Sequence, residues 1–176
     1  MSVRLAALFA ALLAVPALVS PAVAQTRANV DLFAEGAVGL AEGATVVMGG
    51  NGKGSVRKVT EGTFEIKFEK GVTATVTFDE PVKCLFTQET VIQGQPSSLL
   101  RFDFTRVAKL QLGQQDPLQG LNSIVLQLAG PEDLVQVFSA DGTLSNVPPV
   151  ASIVTSLNID QVEAAIRALR QNCPAP

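Results

Sequence analysis

From Thr63 to Phe78 the chain alternates, with Phe64, Ile66 and Phe68 set between Thr63, Glu65 and Lys67, and Val72, Ala74, Val76 and Phe78 between three threonines. A period of two marks a strand with one buried face and is incompatible with a helix, whose apolar residues recur every three and four. Lys70-Gly71 sits between the two runs, so they predict an antiparallel hairpin. Asp79-Glu80-Pro81 has the chemistry to reverse the chain again, and Val82, Cys84 and Phe86 then fall on one face of a third strand.

Weaker versions of the pattern flank this core. Ala44 to Met48 and Ser55 to Thr60 are β-favouring runs around the glycine-rich stretch 49–54, which predicts a hairpin with a flexible tip. Beyond the polar stretch Gln93 to Ser98, strands are expected through Leu100, Phe102 and Phe104, through Ala108, Leu110 and Leu112, and through Ile124, Leu126 and Leu128. Gly130-Pro131 ends the last of these, Leu134 to Phe138 resumes, Asp141-Gly142 turns, and Pro148-Pro149 precedes a final run, Ala151 to Leu157. Phe64, Phe68, Phe78, Phe86, Phe102, Phe104 and Phe138 all lie in these expected strands and are expected in the core.

Two helices are expected. Val30, Phe33, Ala37 and Leu40 fit a helical period over 29–40, although Gly36 and Gly39 each cost about 1 kcal/mol in a helix interior. Asn158 and Gln161 have capping-box spacing, Pro174 is a stop, and Ile159, Val162, Ile166, Leu169 and Cys173 form one stripe, so a helix is expected from 159 to about 172. The fold class is therefore α+β and β-dominated: a curled antiparallel sheet, a barrel or bent sandwich of about seven short strands, capped by a C-terminal amphipathic helix.

Ahead of this domain stands a segment of another kind. Arg4 precedes an eleven-residue apolar run, Leu5 to Val15, which Pro16 breaks before Ala22-Val23-Ala24. Charged start, short apolar run and A-x-A site are the parts of a secretory signal, and the run falls short of the roughly 20 apolar residues that span a bilayer. The expected organisation is a cleaved signal over 1–24 and a single exported domain over 25–176, with the periplasm or extracellular space as its destination and no membrane span after cleavage. Cleavage leaves twelve Lys and Arg against sixteen Asp and Glu, a net charge of −4.

In an oxidising compartment two cysteines are expected to pair. Cys84 points inward from its strand and Cys173 ends the apolar stripe of the helix, so a Cys84–Cys173 bridge is expected, joining the last helix to the inner side of the sheet.

The chain contains no histidine, which closes Ser-His-Asp and Cys-His nucleophile systems and the HExxH zinc site. The acidic balance offers nothing to a phosphate backbone, so nucleic acid is not an expected partner. Walker A fails because Lys53 precedes Gly54 instead of Ser or Thr, and Gly50, Gly52 and Gly54 lack the spacing and βαβ context of a dinucleotide fingerprint. Asp31, Glu35 and Glu42 do not follow a calcium-loop spacing. Asp79, Glu80, Glu132 and Asp133 sit in expected turns and are read as solvated caps, and Arg101 with Asp103 as a surface pair. Lys53, Arg57 and Lys58 give the glycine-rich hairpin a mild positive character suited to an anion or acidic partner. The expectation is an exported, non-enzymatic module without a cofactor that binds a partner protein or envelope component. The alternative is a carrier of a small apolar ligand between sheet and helix, which needs a cavity of roughly 300 Å³.

Overall fold

The alternation between Thr63 and Phe78 builds the hairpin it predicts. The protein is seen in a computed structural model that describes residues 28–47, 51–146 and 150–174. Strands β3 (Thr63–Phe68) and β4 (Thr73–Val82) pair antiparallel, with Phe64 opposite Val76 and Ile66 opposite Ala74, and all four side chains are fully buried. β4 is followed by β5 (Leu85–Ile92) and β6 (Gln95–Asp103), and β3 is preceded by β1 (Thr45–Val47) and β2 (Lys53–Thr60). Then come β7 (Lys109–Leu118), β8 (Leu121–Ala129), β9 (Val135–Ser139), β10 (Leu144–Asn146) and β11 (Val150–Thr155). All eleven lie in one sheet in the order β10-β9-β6-β5-β4-β3-β2-β1-β11-β8-β7. Every pairing is antiparallel, and the sheet does not close.

The β-dominated α+β class is thus as expected, with eleven strands among the described residues instead of about seven. Of the eleven, only β10 falls outside the runs named from the sequence, while polar segments lengthen strands beyond those runs. Gln93 to Ser98 is no connector: Gln93 and Gly94 make a two-residue turn with φ of 49° and 78°, and β6 begins at Gln95. β7 likewise runs on through exposed Gln114, Gln115 and Asp116. A strand exposed on both faces needs no apolar alternation, so its sequence does not announce it.

Helix α1 is α-helical over 28–32 and widens into a π-turn at Phe33–Ala37, with Val30, Phe33, Ala37 and Leu40 all buried as their spacing predicts. Around it the two wings of the sheet fold toward each other. Phe33 stacks on Phe86 of β5 at 4.4 Å between ring centroids and on Phe102 of β6 at 5.4 Å, while Ala37 and Val38 share an apolar cleft with Leu126 and Leu128 of β8. The wings meet at a narrow seam, where β1 and β11 share one register pair, Val46 with Thr155.

Helix α2 (Ile159–Asn172) has the expected capping box: Asn158 Oδ1 accepts the Gln161 N–H, and the Gln161 side chain accepts the Asn158 N–H, both at 2.9 Å. Val162, Ile166, Leu169 and Cys173 are buried. α2 packs closely on α1 at Gly36, where a Cβ would stand 2.5 Å from that of Ala165. The glycine that weakens α1 as an isolated helix is what lets the two helices approach.

Two aromatic placements differ from the sequence reading. Phe104 is buried in a 3₁₀ turn (Phe104–Arg106) whose N-cap Asp103 accepts the Thr105 N–H, and Phe138 is half-buried. The leader, the cut at Ala22 and Ala24 and Gly49 and Gly50 of the glycine-rich tip lie outside the described residues, as does Pro148-Pro149.

Candidate functional site

The bridge between Cys84 and Cys173 is present, with Cα atoms 5.7 Å apart and both residues buried. The local route to it differs from the expectation. β4 runs on through Pro81, with a register irregularity between Asp79 and Val82, and the reversal comes at Lys83-Cys84. Cys84 therefore sits in a turn with φ of 64°, and Val82 is 63% exposed rather than sharing its inward face. Glu80 imposes this path. It is 6% exposed, not a solvated cap, and its carboxylate accepts the N–H of Cys84 and the side-chain amide of Asn29, the latter at 3.0 Å. Asn29 in turn accepts from Asn172 Nδ2 at 2.9 Å, so one polar knot ties α1, the β4–β5 turn and the end of α2. A carboxylate oxygen of Glu80 and both sulfurs lie within 4.8 Å of one another. A disulfide sulfur carries no thiolate for a metal, so the knot is structural chemistry.

The cations of the glycine-rich hairpin do not converge. Adjacent strand residues point to opposite faces. Arg57 pairs outward with Glu65 at 3.0 Å, and Lys58 reaches Asp31 of α1 at 2.8 Å. Glu35 stands 4.0 Å from the same ammonium, and Glu42 accepts the Lys58 backbone N–H. Asp31, Glu35 and Glu42, which lack a calcium-loop spacing, thus gather around a lysine. Lys53 lines a separate surface groove with Lys67, Glu69 and Leu121. Asp103 spends its carboxylate on Thr105 instead of Arg101, and Arg106 makes a bidentate pair with Asp133 at 2.8 and 3.0 Å.

The apolar cleft between the wings, lined by Phe33, Leu100, Phe102, Leu126, Leu128 and Val135 among others, measures about 80 Å³. That is room for a few carbon atoms, against the 300 Å³ or more of a ligand pocket.

A larger feature lies where β7 ends the sheet. Leu110 and Leu112 of β7 are half-buried, alternate with exposed Lys109 and Gln111, and face α2 across a groove of about 570 Å³. The far wall carries Ile159, Glu163, Ile166, Arg167 and Arg170. Arg170 Nη1 donates to the carbonyl of Val107 at 3.0 Å, and its guanidinium lies 5.6 Å from the Phe104 ring centre, fastening the last turn of α2 beside the start of β7. Arg167 pairs with Glu163 at 2.7 Å one turn away. Lys109, Arg167 and Arg170 against Glu163 leave the rim with a positive surplus on an acidic chain. The sequence reading placed Leu110, Leu112, Ile159 and Ile166 as strand and helix core positions and gave none of the groove's residues a functional role. They come from segments some 50 to 60 positions apart, and a groove between a strand edge and a helix has no linear motif.

Comparison with known proteins gives no match: no protein-family profile, no curated sequence and no solved structure is significantly similar to this chain.

Proposed function

We propose that this protein is an exported, non-enzymatic module that binds a partner protein or a component of the cell envelope, acting in the periplasm or extracellular space after cleavage behind Ala24. The observation that carries this reading is the ten-residue strand β7, which lies at one end of the sheet and borders an amphipathic groove against α2. Unpaired strand edges invite association and are usually short, charged or covered, so a long one that no other strand among the described residues pairs with, set beside a groove, favours a docking role. The buried disulfide suits an oxidising compartment, and among the described residues no helix is long and apolar enough to cross a membrane.

The test is native mass spectrometry of the protein purified from its own compartment. The expected result is the mass of residues 25–176 with the disulfide closed, carrying a retained polypeptide or envelope molecule. A bare mature chain under conditions that preserve weak complexes, or turnover of a supplied substrate, overturns the proposal.

A further inference from the structure

The groove beside β7 has three properties that together specify an occupant. The first is backbone. β7 pairs with β8 on one side only, so along residues 109–116 the other edge presents amide and carbonyl groups to which no strand bonds among the described residues; Pro117, which has no N–H, ends the usable stretch. The second is shape. Leu110, Leu112, Ile159 and Ile166 make an apolar floor, which alternate side chains of an extended chain can reach. The third is charge. Lys109, Arg167 and Arg170 outnumber Glu163, whereas the exported chain as a whole carries a net charge of −4. The groove therefore attracts what the rest of the surface repels, and a second copy of this acidic chain is a poor occupant.

We infer that an acidic, extended segment of a partner protein docks here, adding to β7 as a further strand and lying between it and α2. This rests on the reading of the protein as a partner-binding module and names the place and mode of binding. Its wall is built beforehand: the cap at Asn158, the Arg170 bond to Val107 and the disulfide at Cys173 hold α2 in position, so little ordering cost falls on the bound state. Main-chain bonds to β7 supply affinity, while the apolar floor and basic rim supply selection.

The test uses the disulfide-bonded exported protein and three labelled ten-residue peptides in which Leu alternates with Glu, with Ser or with Lys. The Glu peptide is expected to bind about tenfold or more tightly than the Ser peptide, the Lys peptide weakest, with the difference shrinking as salt rises. Hydrogen exchange should slow at residues 109–115 when the Glu peptide binds. K109E together with R167E, both at exposed positions, should reverse the order of the Glu and Lys peptides while leaving the melting profile intact. Equal affinities, protection elsewhere than β7 and α2, or β7 amides that slow with protein concentration in the absence of peptide each overturn the inference, the last by assigning the edge to self-association. A partner retained on native mass spectrometry while β7 exchanges unchanged removes this groove and leaves the module reading standing; no retained partner removes the module reading itself.

Discussion

Asn29 and Glu80, fifty-one residues apart, are joined side chain to side chain at 3.0 Å with both residues nearly excluded from solvent. Glu80 also takes the N–H of Cys84, so one carboxylate fixes the start of α1 and the turn that carries the disulfide. Glu80→Ala leaves buried donors without an acceptor and is expected to cost about 1–3 kcal/mol. Glu80→Gln keeps an oxygen where Asn29 and Cys84 both point, and should cost less than half as much. Denaturant unfolding of both variants with the disulfide intact checks the order; equal losses would mean that the carboxylate serves some purpose other than accepting these bonds.

Opening the bridge should release α2 from its far end. The cysteines are separated by 89 positions, for which the chain-entropy model gives about 4–5 kcal/mol. Cys173→Ser and the reduced protein should lose a similar amount, with amide protection falling first in the last turn of α2, because the capping box at Asn158 still holds its beginning. Mass spectrometry without reductant should give a mass about 2 Da below that of the dithiol, from the two hydrogens lost on oxidation. The higher mass would show the pair to be open in solution.

How much of this was legible depends on how much each residue had to bury. The hairpin of β3 and β4 and the capped C-terminal helix could be read because burial on one face writes a period into the sequence, and the cysteine pairing because two cysteines are expected to pair in an oxidising compartment and Cys173 ends the helical stripe. Glu80 was misread for the same reason in reverse: Asp79-Glu80-Pro81 has the composition of a solvated turn, and only contact with distant Asn29 reveals a buried acceptor. Cys84 reached the expected partner from a left-handed turn position, a conformation that alternation does not signal. Of the candidate cations, Arg57 and Lys58 were visible as charges, but the acids that occupy them lie on β3 and α1. The groove of β7 and α2 was hidden because its rim has no local pattern.

Gly36 illustrates a constraint that helix propensity places on the wrong side of the ledger. Replacing it with Ala would favour an isolated helix by about 1 kcal/mol. Here the new methyl group would lie 2.5 Å from Ala165 Cβ, with the backbone of Ala165 and Ile166 at 3.3 Å, so α1 and α2 must separate. Overpacking of this kind costs about 1–3 kcal/mol, and Gly36→Ala is expected to destabilise. Pairing it with Ala165→Gly should restore much of the loss, which a double-mutant cycle measures directly. Additive losses would place the strain elsewhere.

The Arg106–Asp133 pair sets a pH dependence whose sign follows from its geometry. The guanidinium hydrogen-bonded to Asp133 holds its carboxyl below the ordinary aspartate value, and Asp133 in turn raises the pKa of Arg106. A carboxyl whose pKa is lowered by folding contributes stability that is fully present above the unfolded value of about 3.9 and is lost as pH falls through the folded value. Both side chains are well exposed, so the contribution is small and screened by salt. Carboxyl carbon shifts should therefore show Asp133 titrating below an ordinary aspartate in the native protein and returning toward the ordinary value in Arg106→Gln. The variant should match the native protein in stability at neutral pH far more closely than Glu80→Ala does. An Asp133 midpoint unmoved by Arg106→Gln would mean that the depression comes from the backbone at the turn and not from the guanidinium.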